Sequence, residues 1–197
     1  MIPALVLVFT AVVFRVATAL VVHGGGSAWL SNFAPLAAIA LCSAIYFPGK
    51  YKFTVPFAAL LVSDLVLDLY YGASLLDPLI LCRYFAFALV GLLGLALSRR
   101  RVSLKTIVPA SLAGSALFYA ITNAFSWLTD PGYVKNFAGL IQALTVGLPQ
   151  YSATPTWMFF RNSLVSDLLF TLLFVACMSF SRRAAALPAA AARPLPN

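Results

Sequence analysis

Six apolar runs dominate the chain, at 3–22, 33–47, 53–72, 78–97, 106–128 and 157–180. Most reach the ~20 residues that an α-helix needs to cross a hydrocarbon core of about 30 Å, and only the second is short. Inside a bilayer every backbone polar group must be satisfied by the protein itself, so such runs fold as helices. Hydrophobic residues make up 62% of the chain and charged ones 9%, too few to coat a water-soluble globule. The pattern predicts an all-α, polytopic membrane protein with six transmembrane helices forming one domain, 1–181. Residues 182–197, rich in Ala, Pro and Arg, read as a low-complexity, disordered cytoplasmic tail. The first run follows no basic leader and precedes no small-residue cleavage site, so it is expected to be kept as a helix.

The formal net charge is +8, but the cations sit at the ends of the runs and not in a solvated patch interleaved with aromatics, so no nucleic-acid partner is expected. With the amino terminus in the cytoplasm, Lys50, Lys52, Arg99, Arg100, Arg101, Lys105, Arg182, Arg183 and Arg193 all fall on the cytoplasmic side, and Lys135 alone falls outside. That is the asymmetry of the positive-inside rule.

Arg15, Asp64, Asp68, Arg83, Arg161 and Asp167 lie within the runs. An ionised side chain in hydrocarbon costs at least ~2.5–3.5 kcal/mol, so these residues should face the bundle interior and find partners there. By depth, Asp68 and Arg83 belong near the outer ends of the third and fourth helices and are expected to meet. Arg15, Asp64 and Asp167 lie closer to the midplane and are expected to form a central network. Asp64 and Asp68 share a helical face, an arrangement that an intramembrane acid–base enzyme would need, but no second catalytic element accompanies them.

An internal echo runs through the chain: Asn32-Phe33-Ala34 recurs as Asn136-Phe137-Ala138, and Leu61-Val62-Ser63-Asp64-Leu65 as Leu164-Val165-Ser166-Asp167-Leu168. Duplications of this kind are common in transporters. A strict repeat would make 137–148 a seventh span and export the arginine-bearing tail. A short external helix or re-entrant hairpin over the site fits the charge pattern better.

Cys42, Cys82 and Cys177 all lie within apolar runs without paired spacing, which excludes a disulfide framework and a zinc site. Free cysteine ordinarily fills core space. Cys82, however, sits about one and a half turns below the outer end of the fourth helix, beside Arg83 and Tyr84, where its soft sulfur can meet a transition metal delivered from outside.

Asn32-Phe33-Ala34-Pro35 before the second helix, 56–64 in the third, Ile121-Thr122-Asn123 in the fifth, and Phe160-Arg161-Asn162 with Ser166-Asp167-Leu168 in the sixth resemble the substrate-binding S components of energy-coupling-factor (ECF) vitamin transporters. The chain looks most like the solitary cobalamin-type (BtuM-like) members. The resemblance implies a six-helix S-component bundle in a bacterial cytoplasmic membrane, both termini cytoplasmic, that captures cobalamin from outside as a transporter and not an enzyme. It implies Cys82 as the ligand to the corrinoid cobalt, with removal of cyanide from cyanocobalamin as a side activity. Trp29, Tyr84, Tyr133 and Tyr151 would then wall the substrate site, with Asp68, Arg83 and Arg161 as its polar contacts. The first helix departs from the family, because Thr10 to Arg15 carries no Ala-x-x-x-Ala pattern for docking on a coupling module. Ala34 with Ala38 and Ala40 with Ala44 offer small-residue spacings in the second helix instead. The chain therefore works alone or through another surface. An S component for a different vitamin or a metal ion would leave Cys82 as packing, and a structural subunit would leave the intramembrane charges unexplained.

Overall fold

A computed structural model describes residues 2–25, 28–74, 77–100 and 102–191. The described residues form seven α-helices: α1 (Ile2–His23), α2 (Leu36–Tyr46), α3 (Tyr51–Tyr71), α4 (Pro78–Ser98), α5 (Leu104–Thr129), α6 (Phe137–Thr145) and α7 (Thr156–Ala191), with a single 3-10 turn at Ala28–Leu30. Five of them, α1, α3, α4, α5 and the Thr156–Arg182 part of α7, are long and apolar enough to cross a membrane. Large apolar side chains such as Phe9, Leu69, Leu81 and Phe85 are exposed on their outer faces, as a lipid-facing surface requires and a water-facing one does not. This is an all-α polytopic membrane protein.

Among the described residues five helices, not six, have the length and hydropathy of a span, and α2 is the one that falls short. At 11 residues it is about 16 Å long, roughly half a hydrocarbon core. It is apolar on every side, and all its residues from Leu36 to Ala44 are buried, the signature of a helix enclosed by others. It packs against α1, α3, α4, α5 and α7, most closely against α4. There a Cβ placed on Gly94 would lie 2.5 Å from the Leu41 carbonyl oxygen and 3.0 Å from Ala44 Cβ. The small-residue spacings at Ala34, Ala38, Ala40 and Ala44 therefore serve packing within the bundle, where Ala38, Ala40 and Ala44 are at most 1% exposed. They leave no face for a partner.

The helices alternate between two ends. Lys50, Lys52, Arg99, Arg100, Lys105 and Arg182 gather where α2 and α4 finish and α3 and α5 begin; this is the basic end. At the far end lie the 3-10 turn, the start of α4, the whole of α6 and the start of α7. α6, with 9 residues, does not cross. It folds back on α5 around a small core of Tyr133, Ala143, Leu148 and Trp127, with Asn136 capping its first turn through Gly139 N–H at 2.9 Å. The strict-repeat topology with seven spans is thus not adopted. α7 continues as helix to Ala191, through alanines of high helix propensity in the segment expected to be disordered; residues 192–197 lie outside the described residues.

Replacing Gly94 with Ala should force α2 and α4 apart and cost about 1–3 kcal/mol. A fall in the melting temperature of the detergent-solubilised protein, absent in an Ala substitution at exposed Leu92, checks this.

Candidate functional site

Two buried electrostatic anchors define the site. In the first, Arg15 of α1 is 8% exposed and donates from Nη2 to Asp64 Oδ1 of α3 at 2.5 Å and from Nη1 to Ser63 Oγ. Arg83 of α4 donates from Nη1 to the same Asp64 oxygen at 3.0 Å. One carboxylate thus serves two guanidinium groups, and Asp64 Oδ2 has no hydrogen-bond partner among the described residues. The expected Asp68–Arg83 pair is not formed; Arg83 reaches one turn deeper, to the carboxylate that Arg15 already draws into the interior. Asp68 is half-buried and joins neither of the two ion pairs among the described residues.

The second anchor is Asp167 of α7. It does not join the Arg15–Asp64 cluster as expected. Its Oδ1 accepts from Ala38 N–H at 2.9 Å and its Oδ2 from Ser115 Oγ of α5 at 2.7 Å. α2 has Pro35 at its N-cap and no side-chain cap of its own, whereas α4 is capped by Asp77 and α5 by a Ser103/Thr106 capping box. Asp167 supplies from another helix the acceptor that the buried N-terminus lacks, at the end where the helix dipole favours an anion.

Between the anchors is a cavity of about 270 Å³. Arg15, Arg83 and Leu79 form one side, Asp167, Ser163 and Phe159 another, and the 32–37 segment the inner wall. α5 completes it with Ser115, Phe118, Tyr119, Thr122, Asn123 and Ser126, a largely polar stripe at helical spacing. That periodicity was readable in the sequence; only Thr122 and Asn123 drew attention there, as part of a motif. The 31–34 part of this wall is held by α7, where Asn162 Nδ2 donates to Ser31 O at 2.8 Å and Ser163 Oγ to Asn32 O at 3.0 Å. Asn32 adopts the left-handed conformation, φ 57°, which asparagine tolerates better than most residues. On the other face of this segment a second cavity of about 600 Å³ shares Arg15, Asn32, Ala34 and Phe159 and reaches Tyr71 and Tyr151.

Of the residues expected to wall or contact the substrate (Trp29, Asp68, Cys82, Arg83, Tyr84, Tyr133, Tyr151 and Arg161), Arg83 alone lines the main cavity. Cys82 is 8% exposed, and its Sγ lies 3.8 Å from Ile121 O, so the thiol faces α5. Leu79 and Arg83, one turn apart, take the cavity face of α4, and Cys82 is rotated from it by the helical period. Tyr84 packs on Phe57 of α3, ring centres 6.0 Å apart. Arg161 lies 3.7 Å over the Trp29 ring and 5.6 Å from that of Trp157 and donates to Asn162 Oδ1, which positions the residue that holds the 31–34 segment. Tyr151 is 71% exposed beside the second cavity. Tyr133 belongs to the α6 core, where burial, then Asp130 and Tyr151, push its hydroxyl above the usual tyrosine pKa. Among the described residues no three His, Cys, Asp or Glu side chains cluster as metal ligands.

The model of DUF6580, a family of unknown function, matches residues 1–190, and the chain belongs to that family. No curated protein and no solved structure matches it.

Asp64→Asn leaves two buried guanidinium groups without their counter-charge and should cost about 3–5 kcal/mol, whereas Asp68→Asn should stay within ~0.5–1 kcal/mol. Thermal unfolding of both variants in detergent reads the contrast; equal effects would mean that Asp68 shares the ion-pair load.

Proposed function

We propose that this member of DUF6580 is a solute-capturing membrane protein, acting as the S components that its sequence resembles act, and that its ligand is a small polar molecule bound between Arg83 and the α5 stripe. The observation that carries this reading is the cavity itself. Polar side chains from α1, α4, α5 and α7 converge on one space within an otherwise apolar bundle, the form of a binding site in which a few placed polar groups orient a ligand. Arg83 is fixed by a single ion pair to Asp64, with its side chain still 24% exposed, so further donors remain for a ligand's oxygen atoms. Asn123, Thr122 and Ser126 offer both donors and acceptors across from it.

By the positive-inside rule the basic end is cytoplasmic and the cavity opens toward the outside, so the protein collects its solute there, from a bacterial cytoplasmic membrane with both termini inside. Size favours the smaller of the two ligand classes left open by the sequence. About 270 Å³ falls at the lower edge of the ~300–1,000 Å³ typical for drug-sized ligands, and a corrinoid is larger than those. Cobalamin binding would require the 31–34 segment to move so that the two cavities join, and Cys82 to turn out of the α4–α5 contact toward cobalt.

A thermal-shift screen of the purified protein against small water-soluble vitamins and related metabolites should find a stabilising ligand. Arg83→Gln, which preserves the Arg15–Asp64 pair, should weaken its binding about 10- to 100-fold, as expected for a lost charge-assisted hydrogen bond. A ligand indifferent to both Arg83→Gln and Asn123→Ala would overturn this site. In the same screen, a corrinoid whose visible spectrum shifts with wild type and not with Cys82→Ser would replace the small-molecule reading by the cobalamin one.

A further inference from the structure

A second site lies at the opposite end of the molecule. A groove of about 510 Å³ opens between the last turn of α2, the end of α4, the start of α5 and the outer part of α7. Its lining is mixed: Ile45, Val175 and Met178 are apolar, Arg100 and Arg182 are cationic, and Tyr46, Ser103 and Ser179 bear hydroxyl groups. Ser98 also lines the groove and brings in a third cation, because Lys52 Nζ lies 3.3 Å from its Oγ.

Among the described residues these charges have no counter-ion. All five acidic residues, Asp64, Asp68, Asp77, Asp130 and Asp167, lie at mid-depth or toward the far end. Along α7 the nearest to Arg182 is Asp167, about 22 Å of helix away. Neither Arg100 nor Arg182 forms an ion pair among the described residues. Arg100 follows the end of α4, where a cation complements the helix dipole. The helix dipole does not account for Arg182 in the same way, because α7 runs on past it to Ala191. Its charge instead faces the same groove, beside the positive N-terminus of α5 at Ser103.

We propose that this groove binds the headgroup of an anionic phospholipid, with the phosphate between Arg100 and Arg182 and the start of an acyl chain along Ile45, Val175 and Met178. Guanidinium groups pair with phosphate oxygens through two parallel N–H donors, and basic pockets between helices at a membrane surface suit such headgroups. The adjoining apolar wall distinguishes a lipid from a free anion, which would gain nothing from it. The site is independent of the solute cavity, and neither reading needs the other.

Native mass spectrometry of the full-length protein, titrated in detergent with phosphatidylglycerol or phosphatidylcholine, tests this. Selective retention of phosphatidylglycerol is expected, weakened on the order of 10- to 30-fold in the Arg100→Gln/Arg182→Gln double variant and little changed in Arg99→Gln, which removes a neighbouring charge outside the groove. Met178→Trp, which fills the apolar wall and keeps both charges, should also reduce retention, and it decides the matter should the double variant fail to fold. Equal retention of the two lipids, an equal loss in Arg99→Gln, or displacement by soluble glycerol phosphate as effective as by phosphatidylglycerol would overturn the proposal.

Discussion

The hydrogen bond from Ala38 N–H to the Asp167 carboxylate, 2.9 Å long, is the interaction on which the rest of this architecture depends. α2 begins in the interior of an apolar bundle, where its first N–H groups cannot turn to water. Pro35, the residue before it, provides no side-chain acceptor. An anion brought from α7 answers both the unpaired donor and the positive end of the helix dipole, and Ser115 on α5 satisfies the other carboxylate oxygen. Three helices are thereby tied at one point. Because α2 starts only there, the volume above it is left without a helix, and that volume is the cavity.

The opposite wall follows from a second buried carboxylate. Asp64 and Asp167 occupy equivalent places in the repeated Leu-Val-Ser-Asp-Leu segments, and both are nearly inaccessible, at 3% and 2% exposure. Their partners differ completely: two arginines for one, a helix terminus and a hydroxyl for the other. Asp64 draws Arg15 and Arg83 inward and leaves positive charge against the cavity, while the charge of Asp167 is answered by α2 and Ser115. The echo in the sequence thus supplies two anions of the same depth, and what surrounds each gives the site its two unlike sides.

Much of this was legible before any coordinates. The long helices follow from the length of the apolar runs, and the clustering of Lys and Arg at one end from their positions. The Arg15–Asp64 pair follows from depth alone, because 1.5 Å of rise per residue places both near the same level. Rotational phase was not legible. It decides that Arg83 takes Asp64 and leaves Asp68, that Cys82 turns to α5, and that Tyr84 meets Phe57 on α3. Nor does hydropathy separate a membrane crossing from a helix enclosed on all sides, so the run of α2 reads as a short span although its helix has 11 residues. The polar stripe of α5 had the right spacing to be seen; its serines and threonines lie among apolar residues in a run whose average hydropathy remains high.

The way the cavity is walled distinguishes this end of the molecule from the core below it. Around α2, contact is apolar and tight enough that Gly94 leaves no space for a methyl group. The 31–34 segment combines apolar contact, with Phe33 on Phe14 and Ala34 against the core, with hydrogen bonds from Asn162 and Ser163 to its carbonyl groups. Hydrogen bonds of this kind each contribute only about 0.5–1.5 kcal/mol net, whereas separating packed helices exposes apolar area at ~25 cal/mol per Å². The short central helix and the segment before it have the same origin: the chain returns into the bundle at half depth, so the backbone carbonyl groups leading to α2 must be answered by side chains of another helix.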